Sequence, residues 1–71
     1  MPTYQEVREQ VKKGITEYII NGHFDLAADL IGASFELQSI HSFKESILST
    51  QEILDFNQAI LEARITANTG L

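Results

Sequence analysis

Three features of this 71-residue chain predict an all-α fold, a small bundle of three main helices plus one short helix. Apolar residues recur at 3-4 spacing along most of its length, the period of a helix rather than the alternation of a strand. Three Ser/Thr-x-x-Glu matches, at Thr3–Glu6, Ser42–Glu45 and Ser49–Glu52, mark helix starts, because each side chain can satisfy an orphan N–H of the other's turn. One Asn21-Gly22 pair marks a helix stop, since glycine takes the left-handed C-terminal conformation without a Cβ clash. The expected helices run over about 4–21, 25–38, 42–48 and 50–67, within one domain spanning 1–71.

The first helix follows the Thr3 cap. Tyr4, Val7, Val11, Ile15 and Tyr18 form one stripe, and Glu6, Glu9, Lys13 and Glu17 lie opposite. Glu9 and Lys13 stand in the favourable i,i+4 order. Gly14 falls on the apolar side, where mid-helix glycine costs up to about 1 kcal/mol relative to alanine. Its position predicts close approach of a neighbouring helix. Ile20 points away from the stripe.

The link after Asn21-Gly22 is short, so the first two helices are neighbours, antiparallel or steeply crossed. Asp25 or His23 can start the second helix, and Asp25 complements its N-terminal dipole. That helix carries Leu26, Ala27, Leu30, Ile31, Ala33, Phe35 and Leu37 over far more than half its circumference. Only Asp25, Asp29, Gly32 and Glu36 make a narrow polar strip, the pattern of a central helix. A break is expected near Gln38 to His41, before the short helix holding Phe43 and Ile47; one longer continuous helix is the alternative.

The last helix has two apolar rows. Ile53, Phe56, Ile60 and Ala63 form one, and Leu54, Leu61 and Ile65 the other, with Asn57 and Arg64 between them. Asn68, Thr69 and Gly70 end it.

Composition narrows the function classes. The chain has no Cys, so no disulfide or thiolate site can staple a domain that buries only about 60% of its unfolded surface. No apolar run approaches the ~20 residues of a membrane span, and MPTYQEVREQVKK lacks the apolar core of a signal peptide. The expectation is a soluble, cytoplasmic protein with no membrane partner. Net charge is −5, and the only basic cluster is Arg8, Lys12 and Lys13. From residue 14 onward eight acids face only Lys44 and Arg64, which argues against phosphate binding.

Two local resemblances are present, and no family is recognised across the whole chain. Tyr18, Gly22, Phe24, Ala27 and Ile31 resemble one helical hairpin of a tetratricopeptide-type repeat, without the further repeats of a solenoid. Leu26 to Ser34, LAADLIGAS, is similar to the first helix and turn of a repressor helix-turn-helix. That resemblance implies a turn at Gly32, a reading helix from Ser34, and DNA contacts from Gln38, Ser39, His41, Ser42 and Lys44. Gln38 stands where that family expects an apolar residue.

Chemistry-bearing clusters are weak. His23, Asp25 and Asp29, or His41 and Glu45, make a poor metal set without cysteine. None of Ser34, Ser39, Ser42, Ser46 and Ser49 sits in a Gly-x-Ser-x-Gly elbow, and caps or helix surfaces account for them. No catalytic, metal or cofactor-binding residue is assigned. Ile53, Asn57, Ile60 and Arg64 at 4-3 spacing suggest a seam whose lone Asn could set the register of a dimer. The chain therefore reads as a small acidic protein–protein interaction module, a regulator, adaptor or inhibitor, acting as a homodimer that also binds another protein. Ile20, Phe35, Leu54, Leu61 and Ile65 are its candidate contact residues. The alternative is a DNA-binding regulator using Leu26 to Lys44.

Overall fold

The computed structural model describes residues 2–69. It contains three helices, α1 (Tyr4–Ile20), α2 (Phe24–Ile40) and α3 (Thr50–Thr69), and no strand among the described residues. α3 runs through Asn68 and Thr69, two residues past its expected end at 67, and the expected stop at Gly70 lies outside the described residues.

Thr3 caps α1 by accepting the Glu6 N–H at 3.2 Å. The helix ends in a Schellman motif. His23 N–H donates to the Tyr18 carbonyl at 2.8 Å, Gly22 N–H donates to Ile19, and Gly22 takes φ +78°. Tyr18 packs edge-on to His23 and closes the turn on its apolar side. The turn between the two helices is therefore specified by residues local in sequence. Glu9 turns back to accept from Gln5 at 2.9 Å, in place of the expected pairing with Lys13.

α2 follows with His23 as its N-cap residue, although the His23 side chain makes no capping bond. It runs unbroken to Ile40, two residues past the expected end, and no helix covers 42–48. The stop repeats the first one: Phe43 N–H donates to the Gln38 carbonyl at 3.1 Å and Ser42 N–H to Ser39. Ser42 takes the glycine's place in the left-handed region, at φ +57°. A helix from 43 would have fewer than two turns before the Ser49 cap, too little to offset its own nucleation. The Ser42–Glu45 match accordingly caps nothing.

Residues 41–49 instead fold as an irregular strap across one end of the bundle. Tyr4 Oη donates to the Ser46 carbonyl at 2.7 Å, and its ring meets Phe43 edge-on. Ile47 and Leu48 are consecutive and both buried, at a bend where the strap crosses the end of the bundle. α3 then starts on a complete capping box: Ser49 Oγ accepts the Glu52 N–H at 3.1 Å, and Glu52 Oε1 accepts the Ser49 N–H at 3.0 Å.

The buried core consists of Val11, Ile15, Ala27, Ile31, Ile47, Leu48 and Ile60. α1 and α2 pack most extensively, and α3 lies along their hairpin. Ion pairs place Arg8 of α1 at the N-terminal turn of α3, and Asp25 of α2 near its C-terminal end. α3 is thus roughly parallel to α1 and antiparallel to α2. The expected close approach occurs at Gly14, where a Cβ would stand 2.9 Å from Leu30 Cδ2.

Gly14→Leu should lower stability by about 1–3 kcal/mol through overpacking at this crossing. Gly14→Ala should stay within about 1 kcal/mol of wild type, because the helix propensity gained opposes the small shift required of Leu30. Urea unfolding reads both, and a Gly14→Leu variant of wild-type stability would contradict the crossing. Ile47→Ala should cost about 2–5 kcal/mol despite lying outside any helix. A loss below 0.5 kcal/mol (roughly the surface range) would mean that the strap is not core.

Candidate interaction surface

Each helix buries one stripe, and α2 has apolar side chains left over on both flanks of it. At 100° per residue, Ala27, Ile31 and Ser34 point to the core. Phe24, Ala28, Gly32 and Phe35 fall on one flank, and Leu26, Leu30, Ala33, Leu37 and Ile40 on the other.

α3 lies against the first flank. Arg64 Nη2 donates to Asp25 Oδ1 at 2.8 Å and its guanidinium sits 5.8 Å from the centre of the Phe24 ring. The inner row of α3 faces the hairpin: Ile60 is buried, and Ile53 and Phe56 pack on the core. The Ile53, Asn57, Ile60, Arg64 seam is therefore occupied within the chain, and its isoleucines and Arg64 face α1 and α2 rather than a second copy. The outer row stays in water, with Leu54 57% exposed, Leu61 53% and Ile65 54%. Helical geometry puts Phe35, 57% exposed, on the α2 flank beside this row. The space above Gly32 between them is open. Four of the five candidate contact residues thus share the outer α2–α3 face. Ile20, 75% exposed, stands apart at the end of α1.

The second flank of α2 meets α1 where Leu30 lies against Gly14, and beyond that contact no helix covers it. A groove of about 660 Å³ runs here over Val7, Val11 and Leu37, with Glu6 and Glu9 on its α1 side. Ile40 and Leu26, both exposed, extend the same edge. Sequence reasoning missed this surface because the expected break at Gln38 to His41 removed Ile40 from α2. The legible signal was the spacing Leu26, Leu30, Ala33, Leu37, Ile40, which repeats 4-3-4-3.

Two of the three basic residues of the N-terminal cluster are already engaged. Arg8 reaches Glu52 at 2.8 Å and Lys12 reaches its other oxygen at 3.0 Å. The Glu52 carboxyl is held down at about 2 from an ordinary 4.5. The Ser49 backbone N–H does most of this, and Lys12, the Ser49 hydroxyl and Arg8 add to it against the opposing effect of partial burial. Among the described residues, Lys13 and Lys44 are the cations without an ion pair.

The geometry a helix-turn-helix needs is not formed. α2 passes through Gly32 and Ser34 without a turn, and the Ser34 hydroxyl, buried, donates to the Ile31 carbonyl at 2.6 Å. Gln38 to Lys44 spans the end of α2 and the strap, so it presents no reading helix. His41 and Glu45 do not share a helix face for the same reason. The His41 ring stacks on Phe43. No group of three metal-ligating side chains converges among the described residues, and no helix there is long and apolar enough to cross a membrane.

Compared with known proteins, the chain matches no family model, no curated protein and no solved structure.

The Glu52 node has a pH signature. A carboxyl whose folded pKa is depressed adds stability that is full above 4.5 and is lost as pH falls from there towards 2. Glu52→Gln cannot titrate, so the variant should lose less stability than wild type across that window; equal losses would show that Glu52 is not the group responsible. Ser49→Ala should cost about 1 kcal/mol at neutral pH through the lost cap. Urea midpoints taken from pH 7 downward measure both.

Proposed function

We propose that this protein is a small acidic protein–protein interaction module, a regulator, adaptor or inhibitor, that pairs with a second copy of itself through the outer α2–α3 face. The observation that carries the reading is apolar exposure. Among the described residues, seven large apolar side chains, Ile20, Leu26, Phe35, Ile40, Leu54, Leu61 and Ile65, are each 47–75% exposed. Single exposed apolar residues are ordinary, but rows of them sharing a face mark interaction sites.

The shape supports the same reading. The molecule extends 44 × 20 × 15 Å with a radius of gyration of 13.0 Å, against about 11 Å for a compact chain of this length. Its surface of 4937 Å² also exceeds the roughly 4450 Å² expected of a compact monomer of this mass. Pairing two such rods along α3 would cover Leu54, Leu61 and Ile65 on each. Asn57, exposed between the inner and outer rows, would border this contact and penalise registers that leave its amide unpaired. The acidic flanks would steer approach towards a basic partner protein.

Sedimentation equilibrium tests the dimer. Wild type at about 100 µM should run at twice the 8.0 kDa chain mass, since dimer population depends on concentration. Leu61→Asp should raise the dimer dissociation constant by at least about thirtyfold, a loss on the order of 2 kcal/mol, with an unchanged helical circular dichroism spectrum. Leu54→Glu is the second variant if Leu61→Asp does not fold. An 8.0 kDa wild-type monomer across the whole range overturns the dimer.

A further inference from the structure

We infer that the groove between α1 and α2, on the side away from α3, receives an amphipathic helix with basic flanks from a partner protein, completing a four-helix bundle. This deepens the interaction-module reading by naming a second surface and the chemistry of its occupant, and it is independent of the dimer.

The floor is apolar and helical in pitch. Leu26, Leu30, Ala33, Leu37 and Ile40 repeat at 4-3-4-3, the spacing of a seam that accepts another helix side by side. From Leu26 to Ile40 the seam is about 21 Å long, four turns of helix. Across from it α1 contributes Val7 and Val11, while at Gly14 the Leu30 side chain closes against the α1 backbone and bounds the groove. The third helix occupies the opposite side of the hairpin, as the Arg8–Glu52 and Arg64–Asp25 pairs show. Space therefore remains for one more helix on this side.

Charge decides which helix. Glu6, Glu9 and Glu17 line the α1 edge, with Lys13 as the single cation among them. Asp29 and Glu36 lie along the far edge of α2, beyond Ala33 and Ile40. Among the described residues, Glu6, Glu17, Asp29 and Glu36 have no ion-pair partner, and Glu9 has only Arg8 at 4.0 Å. An apolar floor between two acidic edges favours Lys or Arg on both flanks of the incoming helix. A second copy is a poor occupant. Arg8, Lys12 and Arg64 are spent on Glu52 and Asp25, and the outer face of α3 is bordered by Asp55 and Glu62.

The test uses the full chain, ¹⁵N-labelled, titrated with three synthetic peptides of about 18 residues, long enough for the four-turn seam. One has Leu at 3-4 spacing with Lys on both flanks. The second has Glu in place of Lys. The third has the first peptide's composition in an order without an apolar face. The Lys-flanked peptide should bind in the micromolar range, shift the amides of Val7, Gln10, Ala33 and Leu37, and weaken about tenfold or more as salt rises. The triple change Glu6→Lys, Glu17→Lys, Glu36→Lys should weaken it by a similar factor while the dimer persists. Leu61→Asp should abolish the dimer and leave peptide binding intact, so the two readings fail separately. No binding of the Lys-flanked peptide, equal binding of either control, or shifts confined to Leu54, Leu61 and Ile65 would overturn the inference.

Discussion

Everything in this structure depends on how closely α1 and α2 approach at Gly14. With a hydrogen in place of a side chain there, Leu30 can lie against the α1 backbone. Ile15, Ala27 and Ile31 then reach full or near-full burial between the two helices. A wider hairpin would leave these residues partly wet, and so small a chain has few others to bury in their place. The short Schellman turn at Gly22 makes the hairpin local in sequence, and the Gly14 crossing makes it tight.

The third helix is attached differently. Its inner row adds Ile60 to the core, and polar pairs stand at both ends of it. Glu52 caps α3, accepts Arg8 and accepts Lys12, so one carboxylate ties the start of α3 to α1. Arg64 ties the far end to Asp25 and Phe24 of α2. The strap at 41–49 closes the same end of the bundle as Glu52, with Ile47 and Leu48 beneath it and Tyr4 holding Ser46. Only one side of the hairpin is covered as a result, and the apolar excess of α2 stays open on the other.

Most of the fold was legible in the sequence because its determinants are local. The Thr3 and Ser49 caps, the Gly22 stop, the crossing at Gly14 and the all-round apolar character of α2 follow from residue types at fixed offsets. The strap was not legible, for a physical reason. Ser42 occupies a left-handed position that usually takes glycine, so the second Schellman stop carries no sequence flag. The Ser42–Glu45 spacing mimicked a helix start where no room for a helix remained. That error moved Ile40 off α2 and hid the groove. The exposure of Ile20, Phe35, Leu54, Leu61 and Ile65 was readable from the helical wheel. That four of them share one face depends on where α3 lies, and the pairs that place it join residues 39 and 44 apart in sequence.

The molecule is built on a hub helix with three apolar faces, of which its own chain covers one well. In the dimer we propose, a second copy covers the outer α2–α3 face. The most direct measurement is an isotope-filtered NOE experiment on a mixed sample of labelled and unlabelled chains. The account predicts intermolecular NOEs from the methyl groups of Leu54, Leu61 and Ile65, and none from Val7 or Val11. Their absence at a concentration where the chain sediments as a dimer, or intermolecular NOEs confined to the α1–α2 groove, would contradict it.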